Sequence, residues 1–197
     1  MRNVKRLLAA IAAATCLFVM SPLLTSQRLA ASSTLEANRQ IAEIYQLQAA
    51  YHAAVSGAGV DSDAKMQHLN DVLALWADDG VLAVGGTVYS QKGVPGTPSC
   101  EPGALTLCDF YANAAPPFVL GRDWLSLSPS FKTTIDVQGN SADLYFECHF
   151  VDVATRTYIG AATFGEPGNP SSGQARKVHG VWLLSYGVVV PPPLTSS

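Results

Sequence analysis

The sequence predicts an α+β domain in which helices come first and an antiparallel sheet follows. Residues 34–56 carry apolar side chains at three- and four-residue spacing, which indicates a helix that ends at Gly57. After residue 130, segments of strand-like composition alternate with turns rich in Gly, Asn and Pro. Helices followed by a meander of strands are typical of the α+β class.

The elements between these two regions are shorter. Asp61 can cap a second helix that runs to about Trp76, and Asp78-Asp79-Gly80 indicates a turn. A strand is predicted over residues 81–89, and a loop rich in Pro and Gly separates it from a short helix over residues 104–114. The remaining strands are predicted at residues 131–137, 142–153, 157–164 and 177–190.

The N-terminal segment has the pattern of a secretory signal. Three basic residues within the first six positions precede an apolar run from Leu7 to Met20, which is too short for a typical transmembrane helix. We therefore expect a signal peptide at residues 1–31, a single domain at residues 32–190, a frayed tail at residues 191–197, and a secreted or periplasmic protein. The alternative is a membrane anchor that stays attached.

Charge excludes one class of partner. The chain of 197 residues has a formal net charge of −3, and four of its 12 basic residues precede residue 32. The remainder has 8 basic and 15 acidic side chains, a charge of −7, without a run of Lys or Arg. Nucleic acid is therefore not an expected partner, and neither is a membrane once the signal is removed.

Export changes the interpretation of the cysteines. Cys100 and Cys108 lie close together in the Pro/Gly-rich region, so an oxidising compartment predicts a disulfide between them. Two buried free thiols are the alternative. Cys148 alternates with apolar residues on a strand, which indicates a core position. This spacing of cysteines is not that of a metal site, and the sequence predicts neither a metal nor a cofactor.

Three motifs resemble a known superfamily. These are Leu-Trp-Ala-Asp-Asp-Gly-Val at residues 75–81, Ile-Asp-Val-Gln-Gly-Asn-Ser-Ala at residues 135–142, and Val-His-Gly-Val-Trp-Leu-Leu at residues 178–184. Their order resembles that of the nuclear transport factor 2-like superfamily, particularly its SnoaL-like members, over residues 34–190. The resemblance implies a curved antiparallel sheet wrapped around the long N-terminal helix, a cone with a central pocket.

The resemblance implies a pocket but not a reaction, because this superfamily hosts isomerases, dehydratases, cyclases and proteins without catalysis. The steroid isomerase-like pattern has a carboxylate after the Asp-Asp turn, whereas residues 80–86 here contain no ionisable group. The dehydratase-like pattern uses a Tyr, an Asp and two His. Tyr51 and His52 resemble part of that set, but no histidine stands near Ser128.

The pocket residues are predicted from periodicity. At about 100° per residue, Gln48 and Tyr51 share the apolar face of the first helix, so they are candidates for polar groups in a cavity. The alternative is that both side chains make their hydrogen bonds to neighbouring groups of the protein. With them we predict an apolar ligand site lined by Trp76, Phe146 and Trp182. His149 and Glu147 alternate with that strand's apolar residues, which favours the outer face of the sheet.

Three hypotheses of function follow. The first is an exported protein that binds a small, largely apolar ligand without a recognisable catalytic set. The second is a lyase or isomerase that uses Tyr51, His52 and His149, which requires that these three side chains converge in a cavity. The third is self-association, because an outer face carrying Tyr145, Val151, Val181 and Leu183 would suit a homodimer.

Overall fold

The computed structural model describes residues 33–58, 61–128 and 133–190. The predicted signal peptide and C-terminal tail lie outside these residues. Contacts divide the chain into two compact units, Met1–Ile41 and Ala42–Ser197. The described part of the first unit, residues 33–41, is helical, and every feature discussed below belongs to the second. Among the described residues, no helix is long and apolar enough to span a membrane.

Four α-helices are described. Helix α1 covers residues 33–55, close to the predicted range. The others are α2 (Ser62–Ala74), α3 (Leu107–Asn113) and α4 (Pro116–Val119). The side chain of Asp61 accepts a hydrogen bond from the backbone of Asp63 at the start of α2, as its N-cap role requires. A 3₁₀ turn at Pro170–Ser172 precedes the last hairpin.

The strands form one sheet. Their ranges are β1 (Trp76–Val84), β2 (Thr87–Ser90), β3 (Trp124–Leu127), β4 (Thr133–Gln138), β5 (Ser141–Asp152), β6 (Thr157–Phe164), β7 (Gly173–Val178) and β8 (Val181–Val190). The main order is β2-β1-β8-β6-β5-β3, with β4 paired to β5 and β7 paired to β5 and β8. The α+β class is confirmed. The antiparallel description needs one correction, because β1 pairs with β8 in parallel and the sheet is therefore mixed.

Several predicted boundaries are wrong. Residues 78–80 are not a turn but part of β1, whose register against β8 shifts between Trp76 and Val81. The turn lies instead at Gly85-Gly86, where φ angles of 57° and 86° favour glycine. The single strand predicted at residues 177–190 is a hairpin, since β7 and β8 are separated at positions 179–180. Strand β3 and helix α4 were not predicted.

The core lies between one face of the sheet and the part of α1 that belongs to the second unit. Ile44, Leu47 and Tyr51 of α1 are buried at helical spacing, as the periodicity predicts. Strand β5 buries alternate residues from Ala142 to Asp152 and leaves those between them half-buried. Phe146 and Phe164 stack on this face with ring centroids 4.9 Å apart.

Candidate ligand-binding site

A cavity of about 450 Å³ lies between α1, the α3–α4 segment and the inner face of the sheet. Its volume is within the range of small-molecule sites, which is about 300–1,000 Å³. Its wall is formed by Tyr51, Val55, Val84, Tyr89, Phe110, Tyr111, Ala114, Ala115, Pro116, Pro117, Phe118, Cys148, Phe150, Ala162, Thr163, Phe164 and Val189. None of these residues is Asp, Glu, Lys, Arg or His, so this cavity favours a neutral, mainly apolar occupant.

The polar groups of the wall form a chain of hydrogen bonds. The indole Nε1 of Trp76 donates to the hydroxyl of Tyr111 at 3.2 Å, and that hydroxyl donates to the hydroxyl of Tyr51 at 3.3 Å. An indole N–H can only donate, which fixes the direction of the first bond, and in the second bond Tyr111 donates to Tyr51. The Tyr51 hydroxyl therefore has its own hydrogen available for an acceptor on a ligand.

Burial keeps these groups neutral. Desolvation raises the pKa of Tyr51 well above its usual value, and it raises the pKa of Tyr111 as well. Desolvation also raises the pKa of the Cys148 thiol to about 12, against a smaller opposing effect of its hydrogen bond with Ser126. The two tyrosines are hydrogen-bond donors at neutral pH, and Cys148 is a thiol rather than a nucleophilic thiolate.

The structure separates the predicted ligand-site residues. Tyr51 lines the cavity, but Gln48, Phe146 and Trp76 do not. The amide of Gln48 donates to the hydroxyls of Ser128 and Thr133, at 2.7 and 3.0 Å. Phe146 stacks against the wall residue Phe164, and Trp76 lies behind the wall, against the Phe164 ring and the Tyr111 hydroxyl.

Trp182 also lies away from the cavity wall, although it is 5% exposed and on the inner face of β8. Its indole Nε1 donates to the Glu43 carboxylate at 3.1 Å, and the Lys177 ammonium lies 2.7 Å from the same carboxylate oxygen. The ammonium is also 5.6 Å from the centroid of the Trp182 ring. This group ties the β7–β8 hairpin to α1 within the second unit.

His52 faces a different part of the molecule. It lines a more polar groove of about 320 Å³ together with Gln48, Ser126, Ser128 and other residues. Its Nδ1 lies 2.8 Å from the Ser126 hydroxyl, whereas its buried Nε2 has no hydrogen-bond partner among the described residues. Desolvation, with a smaller contribution from His149, lowers the pKa of His52 to about 4. The imidazole is therefore neutral at physiological pH.

His149 is on the face of β5 opposite Phe146 and Cys148, as the alternation favours. Its Nε2 lies 2.8 Å from Glu147, its Nδ1 lies 3.2 Å from the hydroxyl of Tyr158, and Tyr145 donates to Glu147 at 2.9 Å. The side chains of Tyr51, His52 and His149 thus do not converge in one cavity. No group of His, Cys, Asp and Glu among the described residues could hold a metal ion.

The main cavity residues that the sequence did not indicate belong to α3 and α4. The two short helices and the two residues between them supply Phe110, Tyr111, Ala114, Ala115, Pro116, Pro117 and Phe118 to the wall. A disulfide joins Cys100 in the preceding loop to Cys108 in α3, with Cα atoms 4.7 Å apart, as predicted. The concentration of aromatic and Pro residues between positions 110 and 118 was the available signal.

No family model matches the chain, and no curated protein matches it in sequence. Solved structures do match its fold. An NTF2-like protein with a cystatin-like fold from Novosphingobium aromaticivorans gives a TM-score of 0.53 at 13% identity, covering 81% of this chain and 86% of that chain. The chain has a cystatin-like, NTF2-like fold. The resemblance seen in the motifs is thereby confirmed at the level of fold.

Two further matches to this cystatin-like fold carry names of enzymes. The hexachlorocyclohexane dehydrochlorinase LinA-type3 from Novosphingobium barchaimii has a TM-score of 0.51 and 16% identity, covering 79% of this chain and 88% of that chain. A putative scytalone dehydratase from Novosphingobium aromaticivorans has a TM-score of 0.50 and 13% identity, covering 79% and 86%. At such identities the likeness shows the fold alone, so function depends on the site.

Proposed function

We propose that this protein binds a small, neutral and largely apolar molecule in the cavity between α1, α3–α4 and the sheet. The observation that carries the proposal is the composition of the wall: about 450 Å³ lined mainly by aliphatic and aromatic groups, with no Asp, Glu, Lys, Arg or His among them. Burying a charge there would cost several kcal/mol without a partner. Apolar surface, in contrast, gains about 25 cal/mol per Å² when it leaves water.

The tyrosine pair narrows the proposed ligand. The Tyr51 hydroxyl receives the hydrogen bond from Tyr111 and has a hydrogen left to donate. A ligand with one acceptor, such as a carbonyl, ether or hydroxyl oxygen, would complete that chain. The proposed ligand is thus an apolar molecule with a single uncharged polar group.

A lyase or isomerase reaction has less support. Proton abstraction needs a base within hydrogen-bond reach of the substrate. His52 lines the separate groove and His149 lies on the outer face, so neither can serve a substrate in the main cavity. The names of the two structural neighbours apply to those proteins.

The proposal extends to location. The basic and apolar N-terminal segment and the disulfide between Cys100 and Cys108 both support an exported protein. The protein would then bind its ligand outside the cell or in the periplasm.

The test is a substitution on β6 that places a large side chain in the cavity. Ala162 on β6 lines the cavity, whereas its neighbour Ala161 pairs with His149 on the opposite face. We expect the wild-type protein to bind the neutral dye N-phenyl-1-naphthylamine with a rise in fluorescence. Ala162→Phe should reduce that affinity at least tenfold, because its ring occupies the space the dye needs. The matched control Ala161→Phe should bind as the wild type does.

If Ala162→Phe binds the dye as tightly as the wild type does, the dye does not bind in this cavity and the proposed site is wrong. Extraction of the exported protein and mass spectrometry of the extract should return a neutral molecule of low polarity.

A further inference from the structure

Phe164 lies in an unusually close contact with the backbone of β8. A Cβ atom placed on Gly187 would lie 2.5 and 2.7 Å from two carbon atoms at the end of the Phe164 ring, and 3.3 Å from a third. Contacts this short do not occur in folded proteins, so the ring rests where the side chain of any other residue would begin. The three heavy atoms nearest to that Cβ all belong to the Phe164 ring.

The ring also forms the boundary of the cavity. Phe164 is 1% exposed and lines the cavity, while Phe146, Tyr51 and Trp76 surround its other sides at centroid distances of 4.9, 6.2 and 6.0 Å. A ring that moves away from β8 therefore meets three packed aromatic groups or enters the open space of the cavity. The open space offers the smaller resistance.

We propose that Gly187 sets the length of ligand that the cavity accepts, by allowing an edge of the Phe164 ring to lie directly against the backbone of β8. This inference rests on the proposed binding function. A methyl group at position 187 must displace the ring by about 1 Å or more to restore ordinary van der Waals contact. The displaced ring would shorten the cavity at this end and select shorter ligands.

Gly187 suits a test because its contact is with a movable side chain. The neighbouring Gly173 also touches Phe164, but a Cβ atom there would lie 2.3 Å from the backbone oxygen of Leu144, which cannot move freely. Gly187→Ala thus tests the position of the Phe164 ring, whereas a substitution at Gly173 would disturb the backbone of the sheet. Ser185→Ala is the matched control, because Ser185 is on β8 but lines a groove on the outside of the sheet.

The experiment measures displacement of N-phenyl-1-naphthylamine by straight-chain primary alcohols from butanol to dodecanol. For the wild type, affinity should rise about fourfold with each methylene until the chain fills the cavity, and then level off. In Gly187→Ala the plateau should come at an alcohol shorter by at least one carbon. Ser185→Ala should keep the wild-type plateau.

A second variant covers the case in which Gly187→Ala does not fold. Phe164→Leu shortens the side chain against Gly187 and should move the plateau to a longer alcohol. An unchanged plateau in either folded variant would overturn the role of Gly187. If the wild type binds neither the dye nor any alcohol, the proposed function itself is wrong, and the two failures are thereby distinguished.

Discussion

Single residues show how burial decides what chemistry a side chain can do in this molecule. Tyr51 and His52 are neighbours on α1, with ring centroids 6.2 Å apart, yet Tyr51 lines the apolar cavity and His52 lines the polar groove. Tyr51 ends a chain of donors in the apolar cavity, and His52 bonds Ser126 beside the polar groove. Because burial lowers the pKa of His52 to about 4, this residue is a neutral hydrogen-bonding group rather than a cation.

The pKa of His52 makes stability depend on pH. Its folded-state pKa is depressed to about 4, whereas an unfolded histidine has a pKa of about 6.5. Between these values the unfolded chain binds more protons, so the free energy of unfolding falls as pH drops from about 6.5 to 4. The full loss attributable to His52 is about 3 kcal/mol at pH 4.

Urea unfolding at pH 7, 5.5 and 4 should measure this loss. In His52→Asn the amide can still bond Ser126 but does not titrate, so we expect a flatter dependence than in the wild type. His179→Asn is the control, because His179 is exposed in the β7–β8 turn with φ of 49°, which asparagine tolerates. Equal slopes in the wild type and His52→Asn would show that His52 is not held neutral by the fold.

The residue scale also shows what sequence can reveal. Tyr51 was predictable as an inward-facing residue, because helical periodicity fixes which residues of α1 share a face. Strict alternation likewise placed Phe146 inside and His149 outside on β5. Trp182 was also correctly placed inside, but its distance from the cavity depends on Glu43, which lies 139 residues away in sequence. Periodicity gives a direction for a side chain and does not give its partner.

At the scale of elements, the α3–α4 segment determines the cavity. Its two short helices have 7 and 4 residues, lengths too short for a periodic pattern to be recognised in the sequence. The sequence predicted one short helix over residues 104–114, whereas a second, α4, begins at Pro116 and Pro117, where proline is tolerated in the first turn. The sequence thus predicted the long elements that support the site and a short helix close to α3, but it predicted neither α4 nor the way these two helices line the cavity.

The disulfide holds the N-terminal end of this wall. The loop before α3 is long and irregular, and Cys100–Cys108 closes a ring at a sequence separation of 8. By the chain-entropy model, closing so short a ring contributes about 2–3 kcal/mol. Thr106 adds a local support, because its side chain caps α3 by accepting from the backbone of Asp109.

We expect the variant Cys100→Ser/Cys108→Ser to lose about 2–3 kcal/mol of unfolding free energy. Limited proteolysis should cut between Gly93 and Pro102, because the loop is no longer tethered. Dye affinity should also fall, since α3 contributes to the cavity wall. The wild type under a reductant is the control, because it loses the disulfide and keeps both side chains. A double variant with wild-type stability and protease resistance would show that the loop is held by its hydrogen bonds instead.

At the scale of the whole molecule, the N-terminal segment differs in charge from the rest of the chain, and the cavity belongs to the second unit. The first 31 residues hold four basic side chains and no acidic one, while the rest of the chain has a charge of −7. The unit that carries the cavity begins at Ala42. Removal of a signal peptide at residues 1–31 would therefore leave α1 from residue 33 and the whole cavity in place.

Intact mass and thiol number of the exported chain test this arrangement together. Cleavage between Ala30 and Ser33 removes Cys16, and the disulfide occupies Cys100 and Cys108, so one free thiol should remain. That thiol is Cys148, which is buried with a pKa raised to about 12. It should resist a thiol reagent in the native protein and react once the chain is denatured without a reductant, because the reagent needs an accessible thiolate.

A full-length mass of 20.8 kDa would contradict cleavage. Three reactive thiols in the shortened chain would contradict the disulfide, and with it the oxidising compartment.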